Sequence, residues 1–404
     1  MQSAIGQRKV GVASRMKFSA LVKRISGEGA DAWVTHYAAR AAEDRGEDVV
    51  VLSVGDPDLD TAPEIVDRAI AGLRSGDTHY TPAGGREGLR HAIAAVHQRR
   101  TGQVVGADQV AVLSGGQNAL FAAMMCLAGP GDEVVAFDPM YTTYPATIEA
   151  GGARLVRVVL AGESAFRFDA DAFRAALSER TRIVLLTTPN NPTGTIMSES
   201  DLAVVAEEAR RRDLVIVADE VYAGIAPDGR VPGLAAALPE RVVSIGSLSK
   251  THAMTGWRVG WLVGPRECVS AVEALTMCML FGLPGFIQEA AVTALELSER
   301  CEATARAYLA ERADLMLAGL AGAPGTRVRR PDAGMFVLLD VRGTGLGSGE
   351  FMNRLYATER VSVVDGAAFG RATDGFVRLS FATRPDLIAE GCRRVQRFCA
   401  GLAR

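Results

Sequence analysis

From about Gln109 onward the chain alternates short apolar, β-rich runs with helical patterns, and this alternation constrains the fold more than any other feature. The runs expected as strands are Val110–Leu113, Glu133–Phe137, Arg154–Val159, Ile183–Thr187, Leu214–Ala218, Val242–Ile245 and Gly260–Val263. Amphipathic helices are expected between several of them, over Gln117–Leu127, Ala170–Leu177 and Glu199–Arg211. Strands that are apolar throughout must be covered on both faces, and helices between them lead to a mostly parallel, seven-stranded sheet of the α/β class. Such sheets bind ligands at the carboxyl ends of their strands.

After about Glu299 the pattern changes. A long helix (Cys301–Leu320) leads to a strand (Met335–Val341), a helix (Gly349–Thr358), short strands near Ser362–Val364 and Val377–Leu379, and a closing helix from Pro385. That succession implies a smaller α+β unit. A chain of 404 residues exceeds one ordinary core, so two lobes are expected, a large one over 62–299 and a small one over 300–404. The arm Met16–Thr61, with a strand over Val50–Val54, is expected to join the small lobe. Residues 1–15 carry Arg8, Lys9 and Arg15 but no apolar signal core, so they are expected to be a disordered extension, with Met16 an alternative start.

A formal net charge of −3 leaves no basic footprint for nucleic acid. No apolar run reaches the roughly 18 residues that span a bilayer; Ala274–Ile287 is interrupted by Gly282, Pro284 and Gly285. The six cysteines form no Cys-x-x-Cys pair and read as buried free thiols, which suits a reducing cytoplasm.

The chemistry is concentrated at the expected strand ends. Ser247-Leu248-Ser249-Lys250, with Arg258 eight residues after the lysine, places a lysine suited to condense with an aldehyde near an arginine suited to a phosphate. An aldehyde and a phosphate on one small cofactor mean pyridoxal 5′-phosphate. Asp219 closes an apolar strand and would hold the pyridine nitrogen protonated by charge pairing; alone, it could equally cap the next helix. Tyr222 and Asn191 can donate to the cofactor's phenolate oxygen, although Pro189-Asn190-Asn191-Pro192-Thr193-Gly194 is also an ordinary turn sequence. Ser114-Gly115-Gly116-Gln117-Asn118 lies between a strand and a helix, where the Gly116 and Gln117 amides could meet a phosphate at the helix N-terminus. Ser247, Ser249 and Arg258 would supply side-chain donors to that phosphate, the alternative for Arg258 being a surface ion pair. Tyr141 offers a ring for stacking, or for the core.

Together these residues resemble the fold-type I pyridoxal-phosphate enzymes of the class I/II aminotransferase family. The matching order is Gly55, Tyr80, Gly115-Gly116-Gln117, Tyr141, Asn191-Pro192-x-Gly194, Asp219-x-x-Tyr222, Ser247-x-x-Lys250, Arg258 and Arg378. The resemblance implies a homodimer with the active site at the subunit interface, where Tyr80 reaches the partner's cofactor phosphate. It further implies that Arg378 binds the substrate α-carboxylate, assisted by Asn191 and the Gly55 backbone. A closer likeness, carried by Leu52–Asp58, Ser249–Trp261 and Cys278–Gly282, is to bacterial arginine–pyruvate transaminases. A guanidinium-bearing substrate would want a carboxylate facing it; Asp56 and Asp58 are candidates by loop position, or else solvated turn residues.

The expected reaction is a two-stage transfer of an amino group from an L-amino acid to a 2-oxo acid, with Lys250 moving the α-proton. Rival readings are an aminotransferase with aspartate, alanine or aromatic donors, a cysteine-sulfur β-lyase on the same fold, and a cofactor-binding regulatory module. No DNA-binding extension supports the last.

Overall fold

The expected strands pair into one sheet in the computed structural model, which describes residues 16–26 and 33–402. The extension expected over residues 1–15 lies outside the described residues. A two-residue strand, β1 (Val50–Val51), comes first in the chain. The large sheet follows with β2 (Val110–Leu113), β3 (Glu133–Asp138), β4 (Arg154–Val159), β5 (Thr181–Thr187), β6 (Val215–Asp219), β7 (Val242–Ser247) and β8 (Gly260–Val263). Its order is β2-β8-β7-β6-β5-β3-β4. Four neighbouring pairs are parallel, and β8 alone runs antiparallel to both its neighbours.

Alternation within the strands explains the double cover. Ile183 and Leu185 pack on one face with Val217, Ile245 and the helices Gly116–Leu127 and Arg266–Met279. Val184 and Leu186 pack on the other with Ile216 and the helix Glu199–Arg212. That last helix starts where a reciprocal cap forms. Ser198 Oγ accepts from the Asp201 amide at 3.2 Å, and Asp201 Oδ2 accepts from the Ser198 amide at 2.9 Å.

The later strands are β9 (Arg327–Val328), β10 (Phe336–Asp340), β11 (Val361–Ser362), β12 (Val364–Asp365) and β13 (Phe376–Ser380). An antiparallel sheet has the order β12-β13-β10-β9, and β11 pairs in parallel with β1. Val50 and Leu52 are buried in the same core as Met316, Leu339, Phe351 and Val395. The helix Ala20–Ile25 lies instead against the large-sheet side, where Arg24 donates to the Ala150 carbonyl at 2.7 Å.

Two expected elements need correction. The strand over Val50–Val54 stops at Val51, because the chain turns toward the sheet ends and its carbonyls take other donors: Ser53 accepts from Arg378 and Gly55 from Lys250. The strand near Ser362–Val364 is two strands in two different sheets, divided at Val363. The interrupted run Ala274–Ile287 is the end of one helix and the start of another, Gly285–Glu296. Among the described residues no helix is long and apolar enough to cross a membrane.

The N-terminus of helix Gly116–Leu127 presses closely on β8. A Cβ at Gly260 would stand 2.3 Å from the Gly115 carbonyl carbon and 2.4 Å from the Gly116 nitrogen. Both are backbone atoms that cannot swing away. Gly260→Ala should therefore cost roughly 1–3 kcal/mol by overpacking and push the helix start off the strand. Denaturant unfolding indistinguishable from wild type would refute this contact.

Candidate active site

The carboxyl ends of β5, β6 and β7 open onto β13 of the smaller sheet, and the side chains gathered there come from well-separated parts of the chain. Asp219 is the last residue of β6 and is 8% exposed. Its Oδ2 accepts from the Tyr144 hydroxyl at 2.5 Å, and its Oδ1 from the Val221 amide at 3.3 Å. The latter is the local, turn-capping contact that the sequence left open. Burial pushes the Asp219 carboxyl up, and these two donors oppose the shift. No cation among the described residues lies within ion-pair distance of it. Tyr144 is fixed in turn by Thr187 Oγ1, which donates to its hydroxyl at 2.9 Å.

Lys250 stands in the turn after β7, and its Nζ donates to the Gly55 carbonyl at 2.7 Å. Burial lowers its pKa to about 8, with Asp56 pulling it up and Arg378 and Arg258 pushing it down. An appreciable fraction is thus an uncharged, nucleophilic amine near neutrality. Gly55 is required here, because a Cβ would meet the Phe336 ring at 2.3 Å.

Arg378 lies on β13 and is 1% exposed. One guanidinium nitrogen donates to Asn191 Oδ1 and the other to the Ser53 carbonyl, each at 2.8 Å. Its Nε has no partner. Aromatic rings enclose it, with Phe336 at 4.0 Å, Phe369 at 4.6 Å and Trp33 at 5.9 Å from the guanidinium carbon. Burial brings its pKa down to about 10, and no carboxylate among the described residues pairs with it. Asn191 also donates to the Tyr222 hydroxyl at 3.1 Å, which leaves the phenolic proton free to point elsewhere. Burial pushes Tyr222 up, so it stays protonated.

The anion cradle expected at the helix start is also assembled. The amides of Gly116 and Gln117 have no acceptor among the described residues, as the first turn of a helix requires. The Arg258 guanidinium adjoins Gly115, where a Cβ would meet its terminal nitrogen at 2.5 Å, and it donates to the Thr255 carbonyl at 2.8 Å. Arg258 adopts φ +57°, so its fork is aimed by the turn rather than by an ion pair. Ser247 Oγ donates to the Val259 carbonyl at 3.0 Å and lies 2.9 Å from Ser249 Oγ, so the two hydroxyls adjoin the same turn. A Cβ at Gly116 would stand 3.6 Å from the Ser247 Cβ, so the helix start and the serines share one pocket. The Gln117 side chain is held by Thr143 and Thr147 at 2.7 and 2.9 Å, which leaves its amide as the available donor.

Tyr141 packs edge-on to Tyr144 with ring centroids 5.9 Å apart, and both Asp219 and Arg378 act on its hydroxyl. Asp56 accepts from Thr255 Oγ1 at 2.7 Å, and Asp58 accepts from the Tyr308 hydroxyl. Tyr80 stands apart from this cluster, 86% exposed, its ring tilted against Phe281 with centroids 4.6 Å apart. The sequence reading missed Tyr144, Thr187, Trp33 and Phe369. Only Tyr144 carried a signal, three residues after Tyr141 and at the other end of the same turn.

A protonated electron-poor ring beside Asp219, an aldehyde at Lys250 and a phosphate at Arg258 and the helix start would satisfy every unpaired group described above except Arg378. Arg378 would keep its unmatched charge. The model of the family described as aminotransferase class I and II matches residues 47–395. The chain belongs to that family. It is 45% identical over 387 residues to the arginine–pyruvate transaminase AruH of Pseudomonas aeruginosa, which covers 94% of this chain and 97% of that protein. It is 31% identical to an aspartate aminotransferase of Pyrococcus horikoshii, over 88% of this chain and 92% of the relative. Among solved structures, the Thermus thermophilus aspartate aminotransferase with maleate superposes with a TM-score of 0.89 at 30% identity, covering 95% of this chain and 99% of that one. The chain is thus an aminotransferase, acting on an amino acid and a 2-oxo acid.

In this aminotransferase the Tyr144 hydroxyl favours the ionised form of Asp219. Tyr144→Phe should raise the proton affinity of Asp219 and cost roughly 1–3 kcal/mol where that carboxyl is ionised. Carboxyl 13C titration and urea unfolding measure the two effects. An unchanged Asp219 titration would show that the hydrogen bond has no such role.

Proposed function

We propose that this aminotransferase works with pyridoxal 5′-phosphate held covalently by Lys250, and that it transfers the amino group of L-arginine to pyruvate. The observation that carries the cofactor reading is the Lys250 amine, buried and close to neutral, in one crevice with an unpaired carboxylate and an unpaired guanidinium. Bound there, the cofactor supplies an aldehyde that accepts the amino group and a protonated ring that withdraws electrons from the substrate α-carbon.

The chain's own residues then have separate tasks. Asp219 Oδ holds the ring proton. Gly116, Gln117, Ser247, Ser249 and Arg258 hold the phosphate, and Tyr222 and Asn191 donate at the ring oxygen. Tyr141 covers the ring face. The Arg378 fork takes the substrate α-carboxylate, beside Asn191 and the Gly55 backbone, and so aims the α-carbon at Lys250. Lys250 Nζ would take the proton from the substrate α-carbon and deliver it to the carbon that had carried the aldehyde oxygen, so that the substrate leaves as a 2-oxo acid. Closing the crevice between the large unit (62–299) and the smaller unit (300–404, with the arm 16–61) would exclude water from these steps. The exposed Tyr80–Phe281 pair supports a homodimer in which Tyr80 serves the partner's phosphate site. Six cysteines described as free thiols support a cytoplasmic location.

The arginine–pyruvate pairing rests on the similarity to AruH and on Asp56, an acidic group in the loop facing Lys250. Borohydride reduction of the yellow holoenzyme and peptide mapping should put the label on Lys250, and a label elsewhere would overturn the cofactor reading. Screening the standard amino acids for bleaching of the visible band, then oxo acids for its return, should single out arginine and pyruvate. Preferential bleaching by aspartate would move the assignment to the other relatives' reaction, and pyruvate with ammonia formed without added oxo acid would mean β-lyase chemistry. Arg378→Lys, which keeps the charge and loses the fork, should lower kcat/KM by about a hundredfold, mostly through KM. An undiminished KM would remove Arg378 from substrate binding.

A further inference from the structure

One ionisable group beside Asp219 has no task in the steps above. Successive strand residues point to opposite faces, and Glu220, which follows Asp219 at the end of β6, leaves on the side away from Tyr144. There it lines a cavity of about 240 Å³, bounded also by His97, Arg100, Ser244, Val231 and Trp261. Among the described residues no cation lies within ion-pair distance of its carboxylate. Arg100 is committed to Glu302 instead. The Ser244 hydroxyl is buried with no closely aligned partner, but it lies near enough to Glu220 to favour the charged carboxylate. A cavity of this size with these polar walls has room for several waters.

We propose, on the reading that Asp219 faces the protonated ring of a bound pyridoxal cofactor, that Glu220 is a positioning residue whose charge, solvated through this cavity, sets how strongly Asp219 holds the ring proton. The geometry that carries this is direct adjacency: two carboxylates on consecutive residues, on opposite faces of one strand end, neither with a counter-ion. Burial, the largest influence, brings the Glu220 pKa to about 7; the Ser244 hydroxyl and Arg100 favour its charge and Asp219 opposes it.

Other ionisable groups flank the cavity, and each has its own partner or surroundings. From the helix Glu87–Thr101 come Arg100 and His97, the latter 2.7 Å from Gln103 Oε1 and lowered by burial. From the helix Ser298–Leu320 come Glu302, paired with Arg100, and Arg306, whose Nη1 donates to the Gly224 carbonyl at 3.2 Å. His252, in the turn after Lys250, is held down to about 4 by burial and stays neutral. As pH rises through neutrality Glu220 gains a charge, and that negative charge raises the proton affinity of the cation facing Asp219.

The test has two arms. In the holoenzyme reconstituted with ring-15N-labelled cofactor, a pH titration of the ring-nitrogen resonance should show the bound chromophore losing proton affinity there by about threefold or more in Glu220→Gln, with Glu220→Asp restoring most of it. In cofactor-free protein carrying 13C-labelled glutamate, one carboxyl should titrate near neutrality, vanish in Glu220→Gln and move to lower pH in Asp219→Asn. This last comparison needs no change at Glu220, so it stands even if the Gln variant fails to fold. A folded Glu220→Gln variant whose ring-nitrogen titration superimposes on wild type would overturn the proposal, as would a Glu220 carboxyl indifferent to Asp219→Asn. A wild-type protein that takes up no chromophore would overturn the cofactor reading instead, and the second arm would still decide the coupling.

Discussion

Asp219 and Arg378 are buried ions of opposite sign that do not neutralise each other, and the rest of the architecture serves to hold them so. Burying an unpaired charge is costly unless hydrogen bonds or a ligand compensate it. Asp219 keeps two donors, Tyr144 and the Val221 amide. Arg378 keeps two neutral acceptors and three aromatic rings, with its Nε left over. These contacts reduce the penalty without discharging either group. Both stay available to a molecule that brings a cation to one and a carboxylate to the other. An amino acid bound to a protonated pyridine cofactor is such a molecule.

The scaffold keeps the two charges apart by placing them on different sheets. Asp219 belongs to a parallel strand that is apolar throughout and cannot shift register without exposing its core face. Arg378 belongs to β13, paired along its length with β10. The Asn191 amide links Arg378 to Tyr222, receiving from the first and donating to the second. The groups proposed to bind substrate and to face the cofactor therefore share one hydrogen-bonded chain.

The large sheet was legible in the chain to within one or two residues at most strand ends. Its signal is local: continuous apolar runs, turn residues between them, and polar groups at the carboxyl ends. The Lys250 turn, Asp219 and the helix start at Gly116 were legible for the same reason, since each is defined by the strand it follows. The β1 strand was read too long because the Ser53 and Gly55 carbonyls are taken by the side chains of Arg378 and Lys250, more than 190 positions away. The split at Val363 was hidden because its two halves pair with partners that no local pattern reveals.

Sequence alone determined the alternation of buried strands and helices, hence the parallel sheet, and it determined which chemical groups stand at the strand ends. Spacing within a strand or a turn is short-range information, and those features depend on nothing else. Only the tertiary structure decided which of some forty cationic side chains is left without a counter-ion in a ring of aromatic groups, that Tyr144 is the donor to Asp219, and that Glu220 turns from the crevice toward a cavity. Those outcomes depend on contacts between distant segments, and an arginine on a short strand looks the same in sequence whether its partner is a carboxylate or, as here, is missing.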